Sequence, residues 1–184
     1  MEIFDIVDEK GIPTGNTIKR SEAHAKGIRH RTAHIWVVRK TEDKIQVLLQ
    51  KRAKNKDSFP GCYDTSSSGH ILAGDEPCES ARRELFEELG ISAEAEDLDF
   101  AGCFRISYEK EFHGKLFRDN EVAFVYVYSK PIEISNLVLQ KEEVESVEWF
   151  DMDYVQSVLE PRDARFCVPI DGFLIAKKWC EEHL

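Results

Sequence analysis

The stretch GHILAGDEPCESARRELFEELGI, residues 69–91, carries most of what this sequence says about its fold. Pro77 suits the first turn of a helix, and Gly90 is well placed to end one. The acidic pair just before Pro77 can act as the N-cap and complement the positive end of the helix dipole. The stretch therefore predicts a helix over residues 77–89.

This predicted helix has two faces. At about 100° per residue, Glu84, Glu87 and Glu88 fall on one arc, and an apolar set falls on another. The apolar set consists of Cys78, Ala81, Leu85 and Leu89. We therefore expect one buried face and one acidic face.

The arginines of this helix differ in what their spacing indicates. Arg83 lies four residues after Glu79 and four before Glu87, so we expect it to pair with both and to hold the acidic face in position. Arg82 lies at the edge of the apolar arc, and the pattern assigns it no role.

The acidic face has two interpretations. Glu84 lies at helical contact spacing from both Glu87 and Glu88, which mildly destabilises an isolated helix, so a divalent cation would offset the repulsion. Carboxylate oxygens suit Mg²⁺ or Mn²⁺ rather than zinc. Acidic surface helices are nevertheless common, and the glutamates alone would favour a solvated face.

The full spacing of the stretch resembles the Nudix box, whose pattern is G-x5-E-x7-R-E-U-x-E-E-x-G-U with U a bulky aliphatic residue. One position departs from it, because an aspartate stands where the pattern has its first glutamate. The matching positions are Gly69, Asp75, Arg83, Glu84, Leu85, Glu87, Glu88, Gly90 and Ile91.

This resemblance implies an α+β fold, namely a Nudix-type α/β/α sandwich with a mixed β-sheet. It also implies hydrolysis of a nucleoside diphosphate linked to another group. Carried onto this chain, it makes Glu84, Glu87 and Glu88 ligands of Mg²⁺ or Mn²⁺. Arg83 would orient these glutamates, and the carbonyl of Gly69 could add a ligand.

A second resemblance covers roughly residues 3–128. IPTG, AHAKGIRH, FPGCYDTSSSGH and DNEVAFVY are similar to successive segments of type 1 isopentenyl-diphosphate isomerases, which share the Nudix fold. In those enzymes histidines and an acidic pair hold a metal. The matching positions here, which imply a possible second metal site, are His24, His30, His70, Asp119 and Glu121. Glu121 is also a candidate catalytic base.

One position departs from the isomerases. They need a cysteine immediately before the Gly-His pair, and Ser68 stands there in this chain. A serine hydroxyl is far too weakly acidic to replace a thiol in moving protons at carbon. We therefore favour a hydrolase, with an isomerase and a non-catalytic nucleotide sensor as alternatives.

The rest of the sequence predicts a single domain over residues 1–184. We expect an extension at 1–30, a Nudix core at 31–160 and a C-terminal helix at 161–184. The extension should hold a hairpin and a short helix, which Ser21 caps and Gly27 ends.

Between these ends, the pattern predicts several strands and another helix. HIWVV and IQVLLQ read as two antiparallel strands, and DFAGCFRISY, EVAFVYVYS and EVESVEWF as further strands. The second of these three alternates inward and outward residues. DMDYVQSVLE has helical spacing and precedes the C-terminal helix.

The net charge, the N-terminal sequence and the cysteine spacing limit the classes of partner and the cellular compartment that the sequence predicts. The formal net charge of −10 argues against a nucleic acid polymer or an anionic membrane as a partner. The charged start lacks the features of a signal peptide, which predicts a cytoplasmic protein. The spread of the five cysteines indicates free thiols.

The only dense basic stretch lies near residue 52. A solvated loop is its ordinary interpretation. A small-molecule diphosphate substrate needs positive charge beyond the metals, so we predict that Lys51 and Arg52 contact its phosphates. The C-terminal helical segment is a possible homodimer contact.

Overall fold

A computed structural model describes residues 2–56 and 58–184. The strands are β1 (Ile3–Val7), β2 (Pro13–Lys19), β3 (His30–Lys40), β4 (Ile45–Arg52), β5 (Tyr63–Asp64), β6 (Ser67–His70), β7 (Asp99–Phe112), β8 (Lys115–Tyr128) and β9 (Val144–Asp151). The α-helices are α1 (Arg20–Lys26), α2 (Pro77–Leu89), α3 (Met152–Leu159) and α4 (Ile170–His183). Short 3₁₀ turns lie at Ala95–Asp97 and Ile134–Asn136.

The main sheet is mixed. Its strands run in the order β5-β4-β3-β8-β7, with β6 pairing with β3 and β9 pairing with β4. β3 and β8 are parallel, whereas β3 and β4, and β7 and β8, are antiparallel. β1 and β2 form a separate antiparallel hairpin, as the sequence predicts.

β4 and β6 share one edge of β3, because β8 occupies the other. β6 pairs with β3 over residues 32–35, and β4 pairs with β3 over residues 38–40. The two strands therefore diverge along β3. α2 contacts β3 and β6 at this divergence.

Helices cover both faces of the sheet. On one face, Ala81, Leu85 and Leu89 of α2 pack in a buried cluster with residues of β3 and β4. On the other face, Val155 of α3 and Phe173 of α4 belong to a second buried cluster. The α/β/α sandwich with a mixed sheet is confirmed.

The predicted bounds of α2 and its predicted end at Gly90 agree with the structure, but the predicted capping by an acidic side chain does not. Glu76 occupies the N-cap position of α2 without a side-chain capping bond, and Gly90 ends the helix in the left-handed conformation. Ser21 is not a cap either, since α1 begins at Arg20. Gly27 does end α1, with a φ of 67°.

The alternation predicted for the EVAFVYVYS strand is wrong. From residue 121 to residue 128 every residue of β8 is buried except Phe124, which is partly buried. β8 lies between β3 and β7 and faces helices on both sides, so both sets of its side chains are withdrawn from solvent.

Candidate metal and active site

Glu88 lies inside the protein rather than on an exposed acidic face. It is only 6% exposed, and its Oε2 accepts hydrogen bonds from Gln50 Nε2 on β4 (3.2 Å) and from the Ser68 N–H on β6 (3.1 Å). The carboxylate thus joins the two strands where they diverge. Among the described residues, no lysine or arginine forms an ion pair with it. Burial raises the pKa of Glu88 to about 8.

Glu84 lies directly against Gly69. A Cβ atom at Gly69 would stand 2.1 Å from Cδ of Glu84, so only glycine leaves room for this carboxylate beside β6. Burial raises the pKa of Glu84 to about 6, although the charge of Arg83 acts in the opposite direction. The contact places the backbone of Gly69 beside the first box glutamate.

Arg83 links Glu84 and Glu87 to strand β6. Its Nη1 lies 2.7 Å from Glu84 Oε1 and 3.3 Å from Glu87 Oε2. Its Nη2 donates to the carbonyl of His70 at 3.1 Å. The predicted pairing with Glu87 is present, and Glu87 itself is half exposed at the rim.

The predicted pairing of Arg83 with Glu79 is wrong. Glu79 instead accepts two hydrogen bonds from Arg82, each of 3.0 Å. Arg82 also donates to the carbonyl of Ala93 (2.8 Å) and to Glu94 (3.1 Å). The arginine without a predicted role therefore anchors the segment that follows α2.

A second cluster brings together residues that are distant in the sequence. Over residues 2–56 and 58–184, one group of at least three His, Cys, Asp or Glu side chains has all its ligand atoms within 4.8 Å of one another. This group, called the histidine cluster below, comprises His24, His30, His70 and Glu121. The three box glutamates form no such group.

Sheet register assembles the histidine cluster. The parallel pairing of β3 with β8 sets His30 beside Glu121, and the antiparallel pairing with β6 sets Thr32 beside His70. Glu121 Oε1 lies 3.6 Å from His30 Nε2 and 3.8 Å from His70 Nε2. Its other oxygen accepts a 3.0 Å hydrogen bond from Thr32 Oγ1. α1 adds His24 from outside the sheet.

The histidine cluster contains buried polar atoms without hydrogen-bond partners. They are Nε2 of His24, His30 and His70, and Oδ1 of Asp119. Asp119 lies 3.7 Å from His24 Nε2 and so adjoins the cluster. His30 Nδ1 is 2.9 Å from the Ile28 carbonyl, which favours a proton on Nδ1 and leaves Nε2 facing the cluster as a lone pair. Such atoms suit a bound divalent cation.

The charges in the histidine cluster follow from burial and from the neighbouring groups. Burial, then the charge of His30, lowers the pKa of His24 to about 4, and burial holds the pKa of His70 well below its usual range. Burial raises the pKa of Asp119 to about 8, with a further contribution from Glu121. Burial also opposes ionisation of Glu121, but the neighbouring histidines, His30 foremost, keep its pKa low.

Two residues that contact these clusters were not predicted from the sequence. Phe4 of β1 is fully buried and stacks on His30 and His70, with ring centroids 4.9 and 4.6 Å apart. Gln50 is the side-chain donor to Glu88. Phe4 lies in an ordinary apolar strand and Gln50 in another, so neither carries a local signal.

The basic pair after β4 is engaged by protein groups. Arg52 donates to Asp64 (2.9 Å) and to the carbonyl and hydroxyl of Ser58 (3.0 and 3.2 Å). Lys51 Nζ lies 3.4 Å from Glu145 Oε1. The phosphate contacts of Lys51 and Arg52 stay a prediction.

With this geometry described, comparison with known proteins is informative. The family model described as the NUDIX domain matches residues 28–167. The chain belongs to the Nudix family. This membership agrees with the box motif and with the α/β/α sandwich.

Three relatives show which proteins this Nudix chain is similar to in sequence. Nudix hydrolase 3 of Arabidopsis thaliana is 38% identical over 92% of the chain, which spans only 22% of that protein. An uncharacterised Nudix hydrolase of Clostridium acetobutylicum is 37% identical over 95% of the chain and 81% of its own length. An isopentenyl-diphosphate Delta-isomerase of Dinoroseobacter shibae is 30% identical over 81% of the chain and 79% of its own length.

A crystal structure of a Deinococcus radiodurans protein has a similar fold. It superposes with a TM-score of 0.66 at 17% identity, over 87% of this chain and 90% of that one. Within the described residues, the helices of the Nudix chain are all too short or too polar to cross a membrane.

Proposed function

We propose that this Nudix protein is a Mg²⁺- or Mn²⁺-dependent pyrophosphohydrolase that cleaves the diphosphate of a nucleoside diphosphate linked to another group. The observation that carries the proposal is Glu88, a buried carboxylate whose hydrogen-bond donors among the described residues are neutral. A buried carboxylate without a counter-charge is costly, and a divalent cation would offset that cost.

The box residues have distinct roles in this proposal. Glu84, Glu87 and Glu88 hold the cation, Arg83 fixes Glu84, and the carbonyl of Gly69 adds a ligand. When bound, the cation neutralises the diphosphate and makes a coordinated water a competent nucleophile near neutral pH. Glu88 cannot turn away from the site without giving up its hydrogen bonds to β4 and β6.

The histidine cluster, together with Asp119, is the proposed second metal site. Its unpartnered buried atoms support this role. Its three histidine–carboxylate distances of 3.6 to 3.8 Å are close to the roughly 3.4 Å between ligands around a shared ion. Glu121 lies in this group with one oxygen bound by Thr32. It is the proposed catalytic base or additional ligand.

An isoprenoid diphosphate isomerase is the second candidate. The convergence of His24, His30, His70 and Glu121 favours it, because the matching residues of the isomerases hold a metal. Ser68 opposes it, because no thiol stands at this position on β6. We therefore expect no proton exchange at carbon.

A product assay separates the candidates. The protein is incubated with Mg²⁺, a panel of nucleoside diphosphate derivatives and isopentenyl diphosphate, and the products are separated by chromatography. We expect release of a nucleoside monophosphate. An allylic isomer would instead support the isomerase, and tight binding without products would support a nucleotide sensor.

Glu88→Gln tests the role of the box. We expect at least about a hundredfold loss of turnover, because the amide cannot supply a charged ligand, with the fold retained. Glu79→Gln is the matched control on the same helix, since the Glu79 carboxylate pairs with Arg82 and not with the box residues, and its turnover should equal that of the wild type. Unchanged activity in Glu88→Gln would remove the catalytic assignment.

A further inference from the structure

Cys62 and Cys167 meet at a short backbone bridge far from each other in the sequence. Tyr63 and Phe166 pair in parallel between them. The Tyr63 N–H donates to the carbonyl of Arg165, and the Cys167 N–H donates to the carbonyl of Tyr63, both at 2.8 Å. This bridge ties the start of β5 to the segment that precedes α4.

Each thiol reaches across the bridge. The Cys62 thiol donates to the carbonyl of Ala164 at 3.5 Å, and the Cys167 thiol lies 3.4 Å from the carbonyl of Tyr63. The two cysteines flank the Tyr63–Phe166 pair, one on each of the two bridged segments. This placement sets the two side chains close to each other across the bridge.

The surroundings shift the pKa values of the two thiols in opposite directions. Cys62 is partly exposed, and the hydrogen bond from Cys167, followed by the charge of Arg52 and Lys110, lowers its pKa to about 6 against the opposing effect of burial. The same hydrogen bond and burial raise the pKa of Cys167 well above its usual range. A nucleophilic thiolate thus stands beside a protonated thiol.

We propose that Cys62 and Cys167 form an oxidant-responsive pair that closes to an intramolecular disulfide in the presence of hydrogen peroxide. Cys62 is the attacking thiolate, and Cys167 is the resolving thiol. The inference is independent of the proposed hydrolysis and of any metal.

The chemistry needs one peroxide per pair. The Cys62 thiolate attacks one peroxide oxygen, the O–O bond breaks, and a sulfenic acid forms with release of hydroxide, which takes a proton to become water. Cys167 then loses its proton and attacks the Cys62 sulfur. The S–S bond forms, the S–O bond breaks, and a second water leaves. Two thiols are oxidised by two electrons, and peroxide is reduced to two waters.

Peptide mapping tests the pair. The full chain is treated with one equivalent of hydrogen peroxide at pH 7, free thiols are alkylated, and the digest is analysed by mass spectrometry without reduction. We expect a cross-linked peptide that joins Cys62 to Cys167. Its mass should be two hydrogens below the sum of the two free peptides, and dithiothreitol should separate it into those peptides. Cys103, which is exposed, is the internal control: it should remain a free thiol after peroxide treatment and therefore be alkylated.

Two variants and one rate measurement sharpen the test. Cys167→Ser should stop the reaction at a sulfenic acid on Cys62 that dimedone traps, whereas Cys62→Ser should abolish the rapid reaction. In the wild type, alkylation of Cys62 at pH 7 should be at least about tenfold faster than that of Cys103. Absence of the cross-linked peptide in the wild type, or equal reactivity of Cys62 and Cys103, would overturn the proposal.

Discussion

At the scale of single residues, the burial of Glu88 makes the stability of the metal-free protein depend on pH. Its folded-state pKa of about 8 lies above the ordinary value of 4.5. The stability contributed by Glu88 is therefore fully present below pH 4.5 and is lost as the pH rises through 8. The total loss over this range should be on the order of 5 kcal/mol in the free energy of unfolding.

Urea unfolding at pH 6 and pH 8, with and without Mg²⁺, measures this effect. Mg²⁺ should raise stability more at pH 8, because the ion binds the ionised carboxylate. Glu88→Gln should have a smaller pH slope than the wild type, and the difference isolates Glu88 from Glu84 and Asp119, which shift in the same direction. Equal slopes in the two proteins would contradict the argument.

His30 should determine whether the histidine cluster binds a cation. His30→Ala removes a fully buried ligand atom and should lower the stoichiometry of Mn²⁺ or Co²⁺ binding by one ion in calorimetry. His183→Gln is the control, since His183 lies at the end of α4, away from this cluster. A wild-type stoichiometry in His30→Ala would show that the histidine cluster is structural.

At the scale of secondary-structure elements, the contact between β6 and α2 should be sensitive to a single methyl group. In Gly69→Ala the new Cβ would meet the end of the flexible Glu84 side chain, which can rotate away. The free energy of unfolding should change by less than about 1 kcal/mol, while Mg²⁺ affinity should fall at least about tenfold. Isothermal titration and urea unfolding measure the two quantities.

The contact between α4 and β7 provides the opposite case. In Gly172→Ala the new Cβ would stand 2.6 Å from the ring of Phe104, in the core on the other side of the sheet. Overpacking should cost about 1–3 kcal/mol in the free energy of unfolding and leave Mg²⁺ affinity unchanged. If Gly69→Ala also lowered the free energy of unfolding and left Mg²⁺ affinity unchanged, Gly69 would be required for packing and not for cation binding.

Elements also differ in how well their sequence predicts them. The bounds of α2 follow from Pro77, Gly90 and the apolar spacing, all of which are local. The burial of Glu88 does not, because it depends on Gln50 and on the backbone of Ser68 in strands that diverge around the helix. A carboxylate on a polar helical arc has the same pattern whether it meets solvent or another strand.

At the scale of the whole molecule, the N-terminal hairpin covers the histidine cluster. Phe4 is fully buried and stacks on His30 and His70. Phe4→Ala should lower the free energy of unfolding by about 3–5 kcal/mol and admit water to these rings. Chemical denaturation measures the first effect, and histidine pKa values from NMR titration measure the second.

The expected NMR result has a definite sign. Burial lowers the pKa of His24 and His70, so hydration should raise both pKa values towards 6.5. Ile3→Ala is the control, since Ile3 is an exposed residue of the same strand. Unchanged histidine titration in Phe4→Ala would show that the hairpin does not seal the cluster.

The sequence alone determined the family, the α2 helix with its box residues, and the order of the main strands, because these depend on local spacing and turn chemistry. Tertiary structure decided which groups meet. The parallel register of β3 and β8 sets His30 beside Glu121, the divergence of β4 from β6 buries Glu88, and the bridge at Tyr63 joins Cys62 to Cys167. These contacts span long sequence separations, and they exist only once the strands have paired, which no local pattern encodes.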